Sequence, residues 1–344
     1  MIHIDGSKGE GGGQVLRTAL SLSLVTGSPF TIRRIRAGRS KPGILKQHLT
    51  AIRAAATVGQ AKTTGDALGS TELTFFPGAL RGGHFKFAVG TAGSATLVFQ
   101  TVLPALLAAP DASTATFEGG THNPAAPPWE ALSDAFLPVL RKMGADVDAS
   151  IEARGFYPAG GGRFDVRVAP SALGALELIQ RGELRSRRIA AIVSRIPEHV
   201  ATREIDAVRR ALDWDLRVEG VISTEPASPG SGNALIVTLE HANVTEVFTA
   251  FGERGKRAEA VARDVADEAR SYLDAGAPVG PHLADQLIVP MLIGKGGRFT
   301  TSQPSGHLQT QLETVRAFVG DRVALERRGD GPGCDVVVDG LAIR

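Results

Sequence analysis

The sequence predicts an α+β protein with two layers, built from three βαβαββ repeats and a smaller inserted α/β domain. One pattern of strand, Pro/Gly-rich turn, amphipathic helix, glycine and strand occurs three times along the 344 residues. Before each copy comes an apolar helix with a glycine-rich start, and the spacing breaks once, between the second and third copies. Each repeat would therefore hold a four-stranded sheet whose two helices cover one face.

The repeated unit is clearest after residue 30. Strand Phe30–Arg36 leads through the turn Arg39-Ser-Lys-Pro-Gly to helix Ile44–Val58, and Gly59 ends that helix. The other copies share this order: strand Ser113–Phe117 with helix Trp129–Met143, and strand Arg298–Thr301 with helix His307–Val319. The apolar helices that precede the copies run to about residues 25, 107 and 292. Right-handed crossovers would place the helix N-termini together at one end.

The break in spacing predicts the domain division. Residues 181–276 contain strands and two amphipathic helices that do not follow the repeat, near 200–212 and 257–273. We therefore expect a large domain of residues 1–180 and 277–344, with residues 181–276 as the inserted small α/β domain.

Composition narrows the class of protein. The single cysteine, Cys334, excludes an internal disulfide framework and a multi-cysteine zinc site, and indicates a reducing cytoplasm. No basic leader precedes an apolar segment, and the longest apolar runs are too short to span a bilayer, so no membrane association is expected. The net charge is only +2, but residues 31–64 carry eight basic and no acidic side chains. That block is either a surface for a polyanion or a solvated basic face.

Common nucleotide and hydrolase motifs are missing. The glycine-rich segment at residues 9–14 ends in Gln14 where a dinucleotide fold requires glycine, and the segment after Gly294 lacks the Ser or Thr of a P-loop. Neither a Ser-His-Asp arrangement nor His-x-x-x-His spacing occurs.

His307 is the most informative candidate residue. It follows Pro304-Ser-Gly and stands at the start of the predicted helix Leu308–Val319. A helix N-terminus favours anions and disfavours protonation, so the ring is either a capping or surface histidine or a neutral nucleophile facing a phosphate site.

Three further polar residues have two interpretations each. Glu10, among glycines that allow close approach of a ligand, either binds a divalent metal or complements a helix N-terminus. Arg17, in the apolar run Val15–Val25, forms an ion pair or binds phosphate. Gln100, inside an apolar helix, must satisfy its amide with a backbone group or with a nucleobase.

The turn of the first repeat is basic. Arg36, Arg39, Lys41 and Lys46 surround it, and Gln47 and His48 follow at the helix start. In the repeat alignment this turn is the counterpart of the turn that carries His307, so a polyanion clamp and a nucleophile would come from equivalent loops.

Several strings resemble the RNA 3'-terminal phosphate cyclase family over essentially the whole chain. The segments that match begin at Gly9, Arg36, Gln47, Gly119, Arg154, Leu283 and Pro304, and the most diagnostic of them is Arg154-Gly-Phe-Tyr-Pro-Ala-Gly-Gly-Gly. The family's fold, three βαβαββ repeats with an inserted domain, agrees with the prediction from the repeats.

The resemblance implies an ATP-dependent ligase-type nucleotidyl transferase that converts an RNA 3'-phosphate end into a 2',3'-cyclic phosphodiester. His307 would attack the α-phosphate of ATP and form histidine–AMP, while Glu10 would bind Mg²⁺ or Mn²⁺. The implied phosphate and RNA ligands are Arg17, Arg36, Arg39, Lys41, Gln47 and His48. The implied adenosine pocket consists of Gln100, Pro127, His282, Leu283, Asp285 and Gln286. RNA and ATP are the expected partners, and a homodimer is a further possibility.

The sequence departs from the family pattern at His282, and three alternative functions are also considered. His282 stands where the family commonly has an aromatic residue, usually tyrosine, that stacks on adenine, so base discrimination could be weaker. The alternatives are a non-catalytic ribosome-biogenesis relative, an enolpyruvyl transferase with similar repeats, and an RNA-binding module without catalysis. His307 argues against the first, since such relatives lack it, and the Arg154 string is foreign to the second.

Overall fold

The computed structural model describes residues 1–9, 12–226, 228–328 and 333–343 and confirms the predicted α+β repeats. The first unit consists of β1 (Ile2–Asp5), α1 (Gly13–Thr26), β2 (Phe30–Arg33), α2 (Lys46–Val58), β3 (Lys62–Thr64) and β4 (Leu73–Phe76). The second consists of β5 (Gly83–Ala88), α3 (Ala95–Leu107), β6 (Ser113–Gly119), a π-helix (Ala131–Phe136) that continues into α4 (Leu137–Lys142), β7 (Val147–Ala153) and β8 (Gly162–Val168).

The third unit is interrupted after its first strand, β9 (Leu176–Leu178). The intervening chain forms β10 (Leu184–Ser194), α5 (Glu198–Ala211), β11 (Glu219–Thr224), β12 (Gly232–His241), β13 (Thr245–Phe251) and α6 (Ala258–Ala275). The unit then resumes with α7 (Pro281–Ile293), β14 (Gly297–Thr301), α8 (Gly306–Val319), β15 (Val323–Arg327) and β16 (Cys334–Val338).

The three units share one strand order. Their sheets run β1-β2-β4-β3, β5-β6-β8-β7 and β9-β14-β16-β15. In each, the first two strands are parallel and the remaining pairs are antiparallel, as in the registers Ile2↔Phe30 and Phe30↔Phe75 of the first unit. The parallel pair requires a helical crossover, so the helix after each first strand is fixed by topology.

The fourth sheet has a different order, β11-β10-β12-β13. Its helices α5 and α6 pack on it through a separate core cluster that includes Val208, Leu235 and Val265, whereas the three units share one larger core. This separation supports the proposed inserted domain at residues 181–276, whose boundaries stay a prediction.

Two local details differ from the sequence prediction. The strand predicted to reach Arg36 ends at Arg33, because Arg34 and Arg36 adopt left-handed φ values of 55° and 54° that an extended strand cannot contain. The helix predicted over residues 129–143 opens as a π-helix instead. Pro138 follows the π-helix by two residues. It lacks an N–H, and in an α-helix its ring would clash with the carbonyl of an earlier residue, which favours the wider π-helical turn.

In the described part of the chain, no helix combines the length and apolarity needed to cross a membrane.

A buried polar cluster joins the second unit to the fourth sheet. The Glu130 carboxylate lies 2.7 Å from His122 Nε2 and accepts a hydrogen bond from Arg154 Nε at 3.2 Å. Arg154 also donates to Glu225 Oε1 at 2.5 Å. Although burial acts to raise it, His122 and Arg154 lower the pKa of Glu130 to about 2. The diagnostic Arg154 string therefore contributes an ionic cross-link that connects two sheets.

We expect Glu130→Gln to lower the free energy of unfolding by about 3 kcal/mol at neutral pH, because it leaves the Arg154 cation in the buried cluster short of a charge partner. Urea unfolding of this variant and the wild type measures the loss. Glu152→Gln is the control, since Glu152 is exposed beside Arg163 and should cost under about 1 kcal/mol.

The same pair fixes a pH dependence. A carboxylate with a depressed native pKa stabilises the fold above its unfolded value, and this stabilisation is lost as pH falls from about 4.5 toward about 2. The difference between wild type and Glu130→Gln should shrink across that window. A constant difference would contradict the charge-based account.

Candidate functional site

Five helices of the described chain begin beside one another, as the repeats predict. At the α8–α1 junction, His307 Nδ1 lies 3.0 Å from Gln14 Oε1. At the α8–α7 junction, Ser305 Oγ donates to Asp285 Oδ1 at 2.9 Å. At the α7–α3 junction, Gln100 Nε2 donates to Gln286 Oε1 at 2.6 Å.

Two more contacts close the circle. Ser94, the N-cap of α3, donates its backbone N–H to Gln47 Oε1 in α2 at 3.4 Å. His48 of α2 packs directly on Gly13 of α1, where an added Cβ would overlap its Nε2. We call this arrangement, formed by the first two turns of α1, α2, α3, α7 and α8, the helix ring. Helix N-termini present unpaired N–H groups and positive partial charge, so the ring is an environment for anions.

The glycine-rich loop before α1 lies between α8, the helix that carries His307, and the basic turn of the first repeat. Gly9 has φ +58° and contacts Thr310 of α8 so closely that a side chain would overlap it. On the other side, a Cβ on Gly12 would lie 3.2 Å from an Arg39 guanidinium nitrogen, and one on Gly13 would lie 2.8 Å from Arg17. The loop needs glycine here for close packing, and it brings the third and first units together.

His307 occupies the second position of α8. The N-cap is Ser305, whose Oγ accepts a hydrogen bond from Leu308 N at 2.9 Å, so the interpretation of His307 as the cap is wrong. The imidazole is exposed, and its Nδ1 faces the Gln14 amide oxygen. In the tautomer that donates this hydrogen bond, the lone pair of the ring is on Nε2.

Arg17 is a half-buried cation beside the glycine loop. Burial lowers its pKa to about 10, which leaves it charged at neutral pH. Among the described residues no carboxylate pairs with it, and both interpretations of Arg17 stay predictions. A partly buried cation of this kind is stabilised when an anion binds.

The basic turn divides into a supporting and an exposed part. Arg36 donates to the carbonyls of Lys41 and Gly43, the latter at 3.1 Å, and so holds the turn together. Burial, and then the nearby Arg39, lower the pKa of Arg36. Arg39 and Lys41 are exposed, as is Lys46 at the start of α2. The exposed cations that a ligand could contact are therefore Arg39, Lys41 and Lys46, while Arg17 is less exposed.

His48 is a fixed neutral donor rather than a cation. Burial, with smaller contributions from Arg17 and Arg36, lowers its pKa to about 3. Its Nδ1 accepts a hydrogen bond from Leu45 N at 3.2 Å, so the proton is on Nε2, which points to Gly13. An Nε2–H at this point can donate to a phosphate oxygen.

The predicted adenosine residues lie around the start of α7. Gln286 Nε2 donates to the carbonyl of His282 at 2.9 Å, while its Oε1 accepts from Gln100, so the partner of Gln100 is a side-chain amide and not a backbone group. His282 is exposed, as a stacking residue must be. Pro127 adjoins α3 through its carbonyl, which accepts from Thr96 Oγ1 at 2.8 Å. Leu283 is packed in the main core, so its part in binding stays a prediction.

A metal site cannot be built from the described residues alone. Among them, no group of three or more His, Cys, Asp or Glu side chains is placed to hold a metal ion. Glu10, the predicted ligand, lies outside the described residues. Magnesium is commonly held by one or two carboxylates together with substrate phosphates, so the predicted role of Glu10 requires a phosphate ligand in the ring.

Three site residues were not identified from the sequence. Ser305 and Gln14 contact Asp285 and His307, and Thr310 supports the glycine loop. Ser305 had a signal, since a serine three residues before the first buried leucine is typical of an N-cap. Gln14 had none, because its partner is 293 positions away in the chain.

Comparisons with known proteins cover nearly the whole chain. The family described as RNA 3'-terminal phosphate cyclase matches residues 8–325. A relative from Ralstonia nicotianae named RNA 3'-terminal phosphate cyclase is 49% identical over 96% of this chain and 94% of its own length. Another with the same name, from Ectopseudomonas mendocina, is 47% identical over 92% of both chains.

Among solved structures, EPSP synthase from Acinetobacter baumannii covers 98% of this chain with 65% of its own length. It is 12% identical to this chain, with a TM-score of 0.29.

We expect Gly13→Ala to weaken binding of tripolyphosphate about tenfold, or ~1.4 kcal/mol, because its Cβ would displace His48 and Arg17 from the ring. Calorimetry at fixed ionic strength measures the affinity. Gly38→Ala, in the nearby basic turn but with no heavy atom within 4 Å of its Cβ, is the control and should bind like the wild type. Equal affinities for Gly13→Ala and the wild type would show that the anion site lies elsewhere.

Proposed function

Because this chain belongs to the RNA 3'-terminal phosphate cyclase family, we propose that it converts an RNA 3'-phosphate into a 2',3'-cyclic phosphodiester through a covalent histidine–AMP. The family and the named relatives make it an enzyme with RNA and ATP as substrates. The observation that supports the covalent route is the position of His307. Its ring lies on the first turn of α8, is oriented by Gln14, and belongs to the helix ring.

The first step is attack of the His307 Nε2 lone pair on the α-phosphorus of ATP. A nitrogen–phosphorus bond forms, the bond to the bridging oxygen breaks, and pyrophosphate leaves with the electron pair. Gln14 Oε1 accepts a hydrogen bond from Nδ1–H and can stabilise the positive charge that develops on the ring. The N–H groups at the start of α8 and the cations of the ring oppose the negative charge on the phosphoryl oxygens.

The next two steps transfer AMP and close the ring. An oxygen of the RNA 3'-phosphate attacks the histidine-bound phosphorus, and the nitrogen–phosphorus bond breaks. The adjacent 2'-hydroxyl then attacks the RNA phosphorus, loses its proton, and displaces AMP. Activation is needed because a phosphate monoester dianion repels an incoming oxygen and has a poor leaving group. Proximity of the 2'-hydroxyl is inherent in the ribose, so the protein supplies mainly positioning and positive charge.

The cations in and beside the helix ring are the proposed ligands of phosphate. We assign Arg17, Arg39 and Lys41 to phosphate and RNA binding, with Arg36 holding their turn. Gln47 holds the start of α3, and His48 donates its Nε2–H. Neutral His48 adds a directed hydrogen bond without further repulsion among the cations.

The adenosine pocket would lie at the start of α7 and α3. We assign the amides of Gln100 and Gln286 to the base edge and His282 to stacking, with Pro127, Leu283 and Asp285 beside them. Asp285 also fixes Ser305 and through it the start of α8. An imidazole has a smaller ring system than tyrosine, so adenine would be held less tightly than in family members with the aromatic residue.

Mg²⁺ or Mn²⁺ is part of the proposal, with Glu10 as the protein ligand. When bound, the ion would neutralise phosphate charge. Cytoplasmic location and a homodimer are also proposed and rest on the single cysteine and the family resemblance alone.

The proposal is tested by incubation with ATP labelled on its α-phosphate and a divalent metal, followed by quenching. We expect label that is stable in base and labile in acid on the wild type, and none on His307→Ala. His199→Ala removes an exposed histidine from α5 and should label like the wild type. Absence of label on the wild type would refute the covalent route and favour a non-catalytic relative or an RNA-binding module.

The metal assignment gives a separate prediction. Glu10→Ala should reduce labelling most at low metal concentration and recover partly as metal is raised, because phosphate oxygens still contribute ligands. A titration of Mg²⁺ and Mn²⁺ with both proteins measures this. Superimposable titration curves would exclude Glu10 as the ligand.

A further inference from the structure

A buried carboxylate of the fourth sheet contacts the residue that immediately precedes α7. Glu246, on β13, is 3% exposed, and its Oε1 accepts a hydrogen bond from Gly280 N at 2.6 Å. Gly280 is the N-cap of α7, and a Cβ on it would make a tight contact of 3.0 Å with Glu246 Oε2. The side chain that accepts the N–H of this N-cap residue thus comes from the proposed inserted domain and not from α7 itself.

The contact lies in a closed junction. Along β13, Val247 faces the cluster that includes Ala135 of the π-helix, whereas Phe248 packs against Tyr272 of α6 with ring centroids 5.4 Å apart. Tyr272 Oη donates to Pro278 O at 3.1 Å in the segment between α6 and α7. Glu246 and Tyr272 therefore hold the same short connection from two elements of the fourth sheet's layer.

The titratable groups around Glu246 are few. Tyr272 faces it from α6, Arg181 stacks on the Tyr272 ring at 5.3 Å, and His241 at the end of β12 meets the same ring edge-on. Among the described residues no cation pairs with the Glu246 carboxylate, since Arg181 donates to the carbonyls of Tyr272 and Leu273 instead. Burial consequently raises the pKa of Glu246 to about 8, although the hydrogen bond from Gly280 partly offsets this.

Two links connect Gly280 to the reacting groups. His282 lies two residues after Gly280 in α7, and Asp285 and Gln286 lie about one turn further along; we assign all three to the adenosine pocket. Asp285 accepts from Ser305 Oγ, and Ser305 caps the helix that carries His307. A shift of the first turn of α7 would therefore move both the pocket and the cap of α8.

We propose that Glu246 is a positioning residue for ATP, through which the inserted domain sets the first turn of α7. This inference rests on the proposed function, because it takes the start of α7 as the adenosine pocket. The neutral carboxyl group accepts the Gly280 hydrogen bond at the working pH. Its ionisation places an uncompensated charge in the junction, which is relieved by admitting water and loosening the turn.

The inference predicts a pH dependence that belongs to one residue. As pH rises through about 8, wild-type affinity for ATP should fall, since the native carboxyl loses its proton there. Glu246→Gln keeps an acceptor of the same shape but cannot ionise. Its affinity should match the wild type at pH 7 and stay level to pH 9.

The experiment measures the Kd of ATP by calorimetry between pH 6.5 and 9, with each variant made in the His307→Ala background so that no covalent step contributes. We expect Glu246→Ala to raise the Kd about tenfold at pH 7, and Glu246→Gln to remove the rise above pH 8. Glu204→Gln is the matched control. Glu204 is a carboxylate of the same domain whose pKa burial raises to about 7, but it accepts from Asn233 and lies away from α7.

Each outcome of this experiment either supports or overturns the role of Glu246. Unchanged Kd for Glu246→Ala, or a pH profile for Glu246→Gln that follows the wild type, overturns the proposal. Equal effects of Glu204→Gln would show a general loss of domain stability and overturn it as well. If Glu246→Ala does not fold, the profile of Glu246→Gln decides alone. Failure of the labelling experiment with an intact Glu246 effect on Kd would refute the covalent route but not this inference.

Discussion

The constraint on which the rest of the structure depends is the handedness of the crossover between parallel strands. Each unit pairs its first two strands in parallel, as in β1–β2, β5–β6 and β9–β14. The connecting helix must then begin at the same end of every sheet. When three such units share one core, their helix starts meet, and the contacts from His307 to Gln14 and from Gln100 to Gln286 are the result. The location of the site therefore follows from the repeated fold, and its particular side chains determine its chemistry.

The helix ring is positively polarised by its backbone, and its cations add to this. Arg17 has no carboxylate partner in the described chain, and the exposed Arg39 lies beside Gly12 of the same glycine loop. Arrangements of this kind are not stable ion-pair networks, because no carboxylate of the described residues balances Arg17. Phosphate is the ligand that we propose for them. Neutral side chains occupy the points where another charge would repel, and His48, with a pKa of about 3, is the clearest of them.

The fourth sheet is tied to the three repeat units at two places of opposite chemistry. Glu130, Arg154 and Glu225 form an ionic cross-link to the second unit, in which the carboxylate pKa is strongly lowered. Glu246 makes an uncharged contact with the start of α7, in which the carboxyl pKa is raised. The difference follows from the partners, since a buried carboxylate ionises only beside a cation or several donors. The first link is suited to holding the domain, and the second to setting the geometry of one helix turn.

The sequence by itself determined the repeats, the interruption of the third repeat, and the residues on the equivalent turns. These follow from periodicities and glycine positions that are local, so His307, Arg36 and Arg39 could be selected without coordinates. Only the tertiary structure decided which of them touch. Gln14 meets His307 across 293 positions and Glu246 meets Gly280 across 34, and neither spacing carries a local signal. The cap of α8 was assignable to Ser305 from its sequence position, whereas the protonation states of His48 and Glu246 depend on burial, which no local pattern records.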